Sequence, residues 1–359
     1  MSKPRFYLDH AATTPIHPAA KAAMIDAMER WANPSSPHGE GRSARAALED
    51  ARARIKKALG WDGHAIFTSG ASEAIDIALK RAKGGPRFIS AVEHDAVFRA
   101  APEATVLPMG DGFQVDLDMA TDLFEDAVAP VVAIQDINPE TGKGQPLDDI
   151  ARVVRGRNGL VIADCAQSAG KHPLPEADMV VVSAHKLGGP PGAGALLVRD
   201  LAMLGASGGQ EQGYRGGTEN LPAIMGFAAA LERGTEPVEE SGLWEAMGLL
   251  VGSLLDEGAE QVGVAGRMSR HIVALAMPRL SARAQLVQFD LRGIAVSAGS
   301  ACSSGSLKQS RVLSAFGIPD DVAERTIRLS VGWSTTPAEL EAFRNAWCEI
   351  ARDAGNRAA

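Results

Sequence analysis

The sequence predicts an α/β protein, with a large domain on a mainly parallel sheet and a second, smaller α+β unit. Between about Trp61 and Arg199, short β-rich runs alternate with helical text, the pattern of a parallel sheet covered by helices on both faces. The runs lack polar alternation, VVVSA being an example, which suits strands buried on both sides. With 359 residues, the chain exceeds one small core and suits a large domain plus a smaller one.

Taken in order, SARAALEDARARIKKALG carries alanine and leucine at helical spacing, with Ser43 as the expected N-cap and Gly60 as the terminator. The strand runs AIFTS, RFISAV, APVVAIQDI, GLVIAD and DMVVVSA follow, then GALLVR after a glycine-rich turn. Past Gly226 the text is alanine-rich and helical. It leads through SGLWEAMGLLVGSLLDEGAEQ to a strand, HIVALAMP, then to helix and strand signals in AQLVQFDLRGIAVSAG and a closing helix, TPAELEAFRNAWCEIARDAG. A boundary is expected near residue 235, so that residues 15–235 form the large domain and residues 1–14 and 236–359 the small one.

Apolar residues make up 45% of the chain and charged ones 22%, a soluble globular balance. The net charge of -8 and the lack of Lys/Arg blocks argue against nucleic acid or a membrane as partner, and favour a small molecule. The start has no apolar core of signal-peptide length and no later run approaches a membrane span, so a cytoplasmic protein is expected. Cys165, Cys302 and Cys348 are odd in number and form no C-x-x-C pair. Neither a disulfide framework nor a metal site is expected from them.

The chemistry concentrates in a few segments. In SAHKLGGPPGAGAL, Lys186 follows a buried-looking strand and precedes glycines that let backbone approach a bulky ligand. Burial costs a lysine its charge, and a Schiff base would resolve the conflict; an exposed loop lysine is the alternative. Asp164 ends the strand in IADCAQSAG, where a carboxylate can keep a pyridine nitrogen protonated or can simply cap a helix. Gln167, about one turn on, is placed to bond a ring hydroxyl. In FTSGASEAIDIALKRA, the free N–H groups near Ser69, Ala71 and Ser72 suit a phosphate, or ordinary capping. His94 could stack on a planar ring, or be a structural histidine.

Cys302 lies in VSAGSACSSGS, a small-residue tract able to carry a thiol into and out of a site; a linker thiol is the alternative. Cys165 and Cys348 fit an inert role better. Arg328, in the apolar TIRLSVG, requires an anion, either a substrate carboxylate or a structural Asp or Glu.

Read together, YLDHAATTP, NPSSPH, TSGASE, EHDAV, NPETG, DCAQSAGK, SAHK, RGGTEN, GSACSSGS and IRLSVG resemble, in order and over nearly the whole chain, the cysteine desulfurases of the class V aminotransferase-like family, the IscS and NifS group. The resemblance implies a PLP-dependent transferase type I fold with a seven-stranded sheet. It also implies pyridoxal 5'-phosphate as cofactor, with Lys186 as its Schiff-base lysine, Asp164 at the pyridinium, Gln167 at the ring hydroxyl and His94 stacked on the ring. Ser72, Ser183 and His185 would hold the phosphate, and Thr218 would reach the phosphate of a partner subunit in a homodimer. L-cysteine would be the substrate, bound through Arg328 and Asn33, with its sulfur taken as a persulfide on Cys302 and passed to an acceptor or scaffold protein.

One position departs from the family pattern. Where N-N-E-x-G is usual, this chain has Asn138, Pro139, Glu140, Thr141 and Gly142, so a side-chain amide is missing. Two other readings stand beside the desulfurase: a selenocysteine lyase on the same scaffold, and a weakly active cofactor-binding scaffold subunit, for which Pro139 is the only support.

Overall fold

In a computed structural model, residues 5–29, 31–234, 242–299 and 310–358 are described. Seven strands form the central sheet, in the order His64–Thr68, Gly194–Val198, Met179–Ser183, Leu160–Asp164, Val131–Gln135, Arg87–Ser90 and Thr105–Leu107. Every neighbouring pair is parallel except those made by Gly194–Val198, which runs antiparallel to both its neighbours. Six of these strands correspond to the apolar runs of the sequence. The seventh, Thr105–Leu107, was not among them because it is a three-residue edge strand with Thr105 and Val106 exposed, and so lacks the apolar run that burial imposes.

Helices cover both faces. Ala44, Leu48, Ala51 and Ile55 of the helix Gly39–Ala58 pack with Phe227 and Leu231 on one side, while Ile75, Ala78 and Leu79 pack with Val97 on the other. The helix Gly39–Ala58 corrects an expectation, since its N-cap is His38, whose Nδ1 accepts the Gly41 N–H at 3.2 Å, and Ser43 lies inside the helix. Gly41 explains the earlier start. A Cβ there would lie 2.3 Å from the Ser36 carbonyl oxygen, so the glycine lets the first turn close against the incoming chain. Gly60, at φ +63°, follows the C-cap Leu59 as expected.

A separate core gathers Leu8, Leu254, Phe289, Phe343 and Trp347 around the antiparallel strands Glu260–Gln261, Ile272–Ala276 and Thr326–Ser330. Phe6–Tyr7 joins this unit by pairing parallel with Ile294–Ala295. The Phe289 and Phe343 rings stack with centroids 4.9 Å apart, which fixes the closing helix Pro337–Ala358 on the unit. The boundary expected near residue 235 falls at residues 235–241, outside the described residues. Among the described residues, no helix is long and apolar enough to cross a membrane.

The parallel strands Leu160–Asp164 and Met179–Ser183 are neighbours and end at the same edge of the sheet. Ligands of open α/β sheets gather at the carboxyl ends of such strands. The residues that follow these two ends are Gln167 and Lys186.

Candidate active site

At that edge lies a cleft of about 370 Å³, lined by Ala71, Ser72, His94, Pro139, Asp164, Gln167, Ser183, His185 and Lys186 among others. Its end suited to an anion is built by the helix Ala71–Arg81, whose N-cap Gly70 makes no side-chain cap and sits at φ +151°. The first intrahelical bond runs from Ala74 N to Gly70 O, which leaves the Ala71 and Ser72 N–H groups pointing out of the helix. Ser69 differs from them. Its N–H donates at 2.5 Å to Glu73 Oε2, and Glu73 Oε1 accepts from Arg215 Nε at 2.9 Å. These bonds outweigh burial and lower the Glu73 carboxyl, although burial is the largest single influence on it. A Cβ on Gly194 would lie 2.7 Å from Gly70 Cα, so only glycine lets the neighbouring strand pack against this loop.

At the other end, Asp164 Oδ1 accepts the Ala166 N–H at 3.0 Å. Burial raises the Asp164 carboxyl, against the pull of that N–H and of the His94 and Lys186 charges. A buried carboxylate so placed is best satisfied by a cation. Gln167 donates from Nε2 to the Ala11 carbonyl at 3.0 Å, and its Oε1 is buried with no hydrogen-bond partner, aimed where a ligand hydroxyl could donate. His94 caps the helix Asp95–Ala100, its Nδ1 accepting the Ala96 N–H at 3.1 Å, so the neutral ring carries its proton on Nε2. Burial lowers its proton affinity and favours that neutral form.

Glu93, next to His94, is 1% exposed; its Oε1 accepts from Ser90 Oγ at 2.5 Å and from Gln135 N at 3.0 Å, and its Oε2 has no partner. Burial pushes it up to about 8, so near neutral pH the folded protein keeps a proton that the unfolded chain releases above about 4.5. Stability is therefore expected to fall as pH rises from about 4.5 to 8. Glu93→Gln should flatten that slope, by on the order of a few kcal/mol across the interval, in melting temperatures measured from pH 5 to 8. Parallel curves for variant and wild type would mean that Glu93 is ionised throughout.

Lys186 sits in the single-turn helix Ala184–Lys186 just past its strand. Its Nζ donates to the Ala11 and Ala12 carbonyls at 2.5 and 2.9 Å. Thr14 Oγ1 donates to the Lys186 carbonyl at 3.1 Å, and Thr13 Oγ1 is 3.1 Å from His185 Nδ1. Burial, and then the charge of Lys186, holds His185 down at about 4. The segment YLDHAATTP thus threads the site, through the backbone carbonyls of Ala11 and Ala12 and the hydroxyls of Thr13 and Thr14. Sequence reading took that segment as a motif and assigned none of its residues a role.

Other expected residues are placed elsewhere. Arg328 is 8% exposed and donates to Asp9 Oδ1 at 2.6 Å and to the Pro139 carbonyl at 2.8 Å, so its anion within the chain is a structural aspartate. Its Nε is buried with no partner. Asn33 and Thr218 are exposed and do not line the cleft, and Asn33 Oδ1 is taken by the Ser35 N–H at 2.8 Å. Cys302 lies outside the described residues. Cys165 is fully buried, with its thiol raised well above the usual range, as suits an inert cysteine. Among the described residues, no group of three or more His, Cys, Asp or Glu could hold a metal ion.

The cleft can hold a phosphorylated pyridine. A helix N-terminus would meet its phosphate, Asp164 a protonated ring nitrogen, the orphaned Gln167 oxygen a ring hydroxyl, and Lys186 a carbonyl carbon.

Known proteins resemble this chain over nearly its whole length. The chain is 32% identical to the cysteine desulfurase IscS of Dictyoglomus turgidum, over 94% of this chain and 92% of that protein. It is 33% identical to the putative cysteine desulfurase IscS 1 of Bacillus subtilis, over 94% of this chain and 96% of that one. Among solved structures, a NifS-like protein from Rickettsia africae superposes with a TM-score of 0.87 at 30% identity, covering 98% of this chain and all of that chain. SspA in complex with cysteine superposes with a TM-score of 0.78 at 27% identity, covering 92% of this chain and 99% of that chain. The profile of the aminotransferase class-V family matches residues 6–343, nearly the whole chain. With the sheet, the strand-end aspartate and the lysine all in the places that profile spans, the chain belongs to the class-V aminotransferase family.

Proposed function

We propose that the protein is a cysteine desulfurase that uses pyridoxal 5'-phosphate, converting L-cysteine to L-alanine and passing the sulfur through Cys302 to an acceptor. The observation that carries this reading is the convergence of Asp164 and Lys186, from adjacent strand ends, on one cleft with the N-terminus of the helix Ala71–Arg81 at its far end. Of the two curated relatives above, one is named a cysteine desulfurase and the other a putative one, and one structural neighbour is in complex with cysteine, which favours this reading over a selenocysteine lyase or an inactive scaffold.

When bound, pyridoxal phosphate supplies an electron sink beside the substrate Cα. The Ala71 and Ser72 N–H groups, with Ser183 and His185, would hold its phosphate, and Asp164 would keep a proton on its ring nitrogen. Gln167 would accept from the ring hydroxyl, and His94 would stack on the ring. Lys186, as a neutral amine, removes the Cα proton. The Cys302 thiolate attacks the substrate sulfur, so a sulfur–sulfur bond forms as the carbon–sulfur bond breaks, and the carbon product is protonated to alanine. The unpartnered Nε of Arg328 is a remaining donor for the substrate carboxylate, and Asn33, although outside the cleft lining, is proposed as a second substrate contact. Exposed Thr218, away from its own cleft, suits contact with the phosphate of a partner subunit, and exposed Ile25, Met28 and Trp31 offer apolar surface for a homodimer. A cytoplasmic setting completes the reading.

The test is alanine and sulfide release from cysteine, with and without added dithiol. With dithiol, which reduces the persulfide and is itself oxidised to a disulfide, equal amounts of both are expected; without it, sulfide should fall below alanine. Absence of alanine under either condition overturns the reading. Cys302→Ala should keep the visible cofactor band and lose sulfide release.

Pro139 lines the cleft and supplies no amide. Restoring one with Pro139→Asn is expected to raise turnover or cofactor affinity by up to about tenfold, the worth of one hydrogen bond of about 1 kcal/mol or slightly more. The Asn138 side chain caps the Glu140 and Thr141 N–H groups at 2.9 and 3.0 Å, so the loop keeps its shape without the ring of proline. Unchanged kinetics in a normally folded variant would show that another group already fills the position.

A further inference from the structure

His94 lines the cleft as the N-cap of Asp95–Ala100, a helix of 6 residues, and a helix so short does not hold its own ends in water. The turn that carries it is gripped from within by the Glu93 side chain, through Ser90 Oγ and Gln135 N. From the other side it is gripped by Arg311. Its Nη2 donates to the Glu93 carbonyl at 2.6 Å and its Nη1 to Asp95 Oδ1 at 3.0 Å, so one guanidinium holds the residue before His94 and the residue after it. The same group lies over the Phe98 ring, 3.9 Å from its centroid. Phe98 is one helical turn on from Asp95, on the same face.

Arg311 starts the helix Arg311–Ala315, which Phe316 ends. Leu313 of that helix packs with Ala274 and Ala276 of the antiparallel strand Ile272–Ala276, while Val312 and Phe316 pack with Val92, just before the Glu93–His94 pair. Phe316 also meets the Phe113 ring edge-on, with centroids 5.5 Å apart. Ahead of the helix, Ser310 Oγ donates at 2.5 Å to Glu140 Oε2, and Glu140 follows Pro139 of the cleft wall. The helix is therefore held by its own contacts, and Arg311 reaches the His94 turn from a base that does not depend on that turn.

We propose that Arg311 is a positioning residue for the reaction: by holding the backbone on both sides of His94 from a separately packed helix, it fixes that ring where it meets the cofactor. This rests on the reading that His94 stacks on the ring of pyridoxal phosphate. The Glu93 carbonyl sets the peptide plane that leads into His94, and Asp95 sets the start of the helix beyond it, so the direction of the His94 side chain follows from the two bonds. Arg311 and Asp95 are each 45% exposed, and an ion pair so open to water adds little stability. Its effect lies in orientation. A ring fixed in advance meets a planar ligand without losing that freedom on binding.

The test compares the full chain with Arg311→Met, which keeps an apolar stem over Phe98 and deletes both donors. In cofactor-free protein, hydrogen–deuterium exchange at the imidazole C2 position is read for each histidine by mass spectrometry. Exchange at His94 should be faster in the variant by about threefold or more, and unchanged at the buried His10 and His271. Unchanged exchange at His94, or faster exchange at all three rings, overturns the proposal. Asp95→Asn, which loosens the same clamp from the other end, carries this comparison should Arg311→Met fail to fold. Cofactor affinity is then titrated through the visible band in wild type, Arg311→Met, His94→Ala and the double variant. Arg311→Met should weaken binding by about threefold or more beside His94 and not at all beside alanine. Equal weakening in both backgrounds overturns the proposal. A wild type that binds no cofactor sinks the cofactor reading of the cleft, and the exchange comparison then decides by itself whether Arg311 fixes His94.

Discussion

Lys186→Ala is expected to give a protein with no visible cofactor band and with turnover reduced by at least about 10⁴-fold, the upper end of what a general base contributes. The loss should be that large because one amine both holds the cofactor and moves the proton, and no other lysine of the described residues lines the main cleft. The fold should survive. Lys186 Nζ ties down the Ala11 and Ala12 carbonyls, and these bonds are worth about 1 kcal/mol each, well within the margin of a domain of this size. Absorption spectra and circular dichroism on the same sample separate the two effects. A variant that remains yellow after dialysis would show that Lys186 is not the attachment point.

Asp164→Asn is the sharper companion experiment. In the folded chain the Asp164 carboxylate already serves as a cap through the 3.0 Å bond from Ala166 N. Asparagine keeps that acceptor oxygen and removes only the charge. If Asp164 holds a proton on the cofactor ring, turnover should fall by on the order of 10²–10³-fold with weaker cofactor binding, the usual cost of removing one preorganised electrostatic contact. If the residue is only a cap, melting temperature and turnover should both match wild type. Alanine would confuse these outcomes by deleting both roles at once.

The strand ends were readable from sequence because a fully buried parallel strand leaves an uninterrupted apolar run, and Asp164 and Lys186 stand where such runs stop. The edge strand Thr105–Leu107 was not, since exposure removes the constraint that makes a strand visible. The cap of the long helix was misplaced for a related reason. Ser43 has the right chemistry, but the close approach of Gly41 to Ser36 moved the start of the helix to His38, and that approach is a matter of packing.

The sequence by itself determined the fold class, the family resemblance, and the residue types that carry the chemistry, because each depends on local pattern: burial runs, punctuating glycines, and a lysine or aspartate at a strand end. Only the tertiary structure decided which groups share a space. It paired Arg328 with Asp9, 319 positions away in the chain, where sequence alone left a substrate carboxylate and a structural one equally open. It also brought the carbonyls of Ala11 and Ala12 onto Lys186. Such contacts act through space over a few ångströms and are blind to chain separation, so the electrostatics of the site could be read only once the chain was folded.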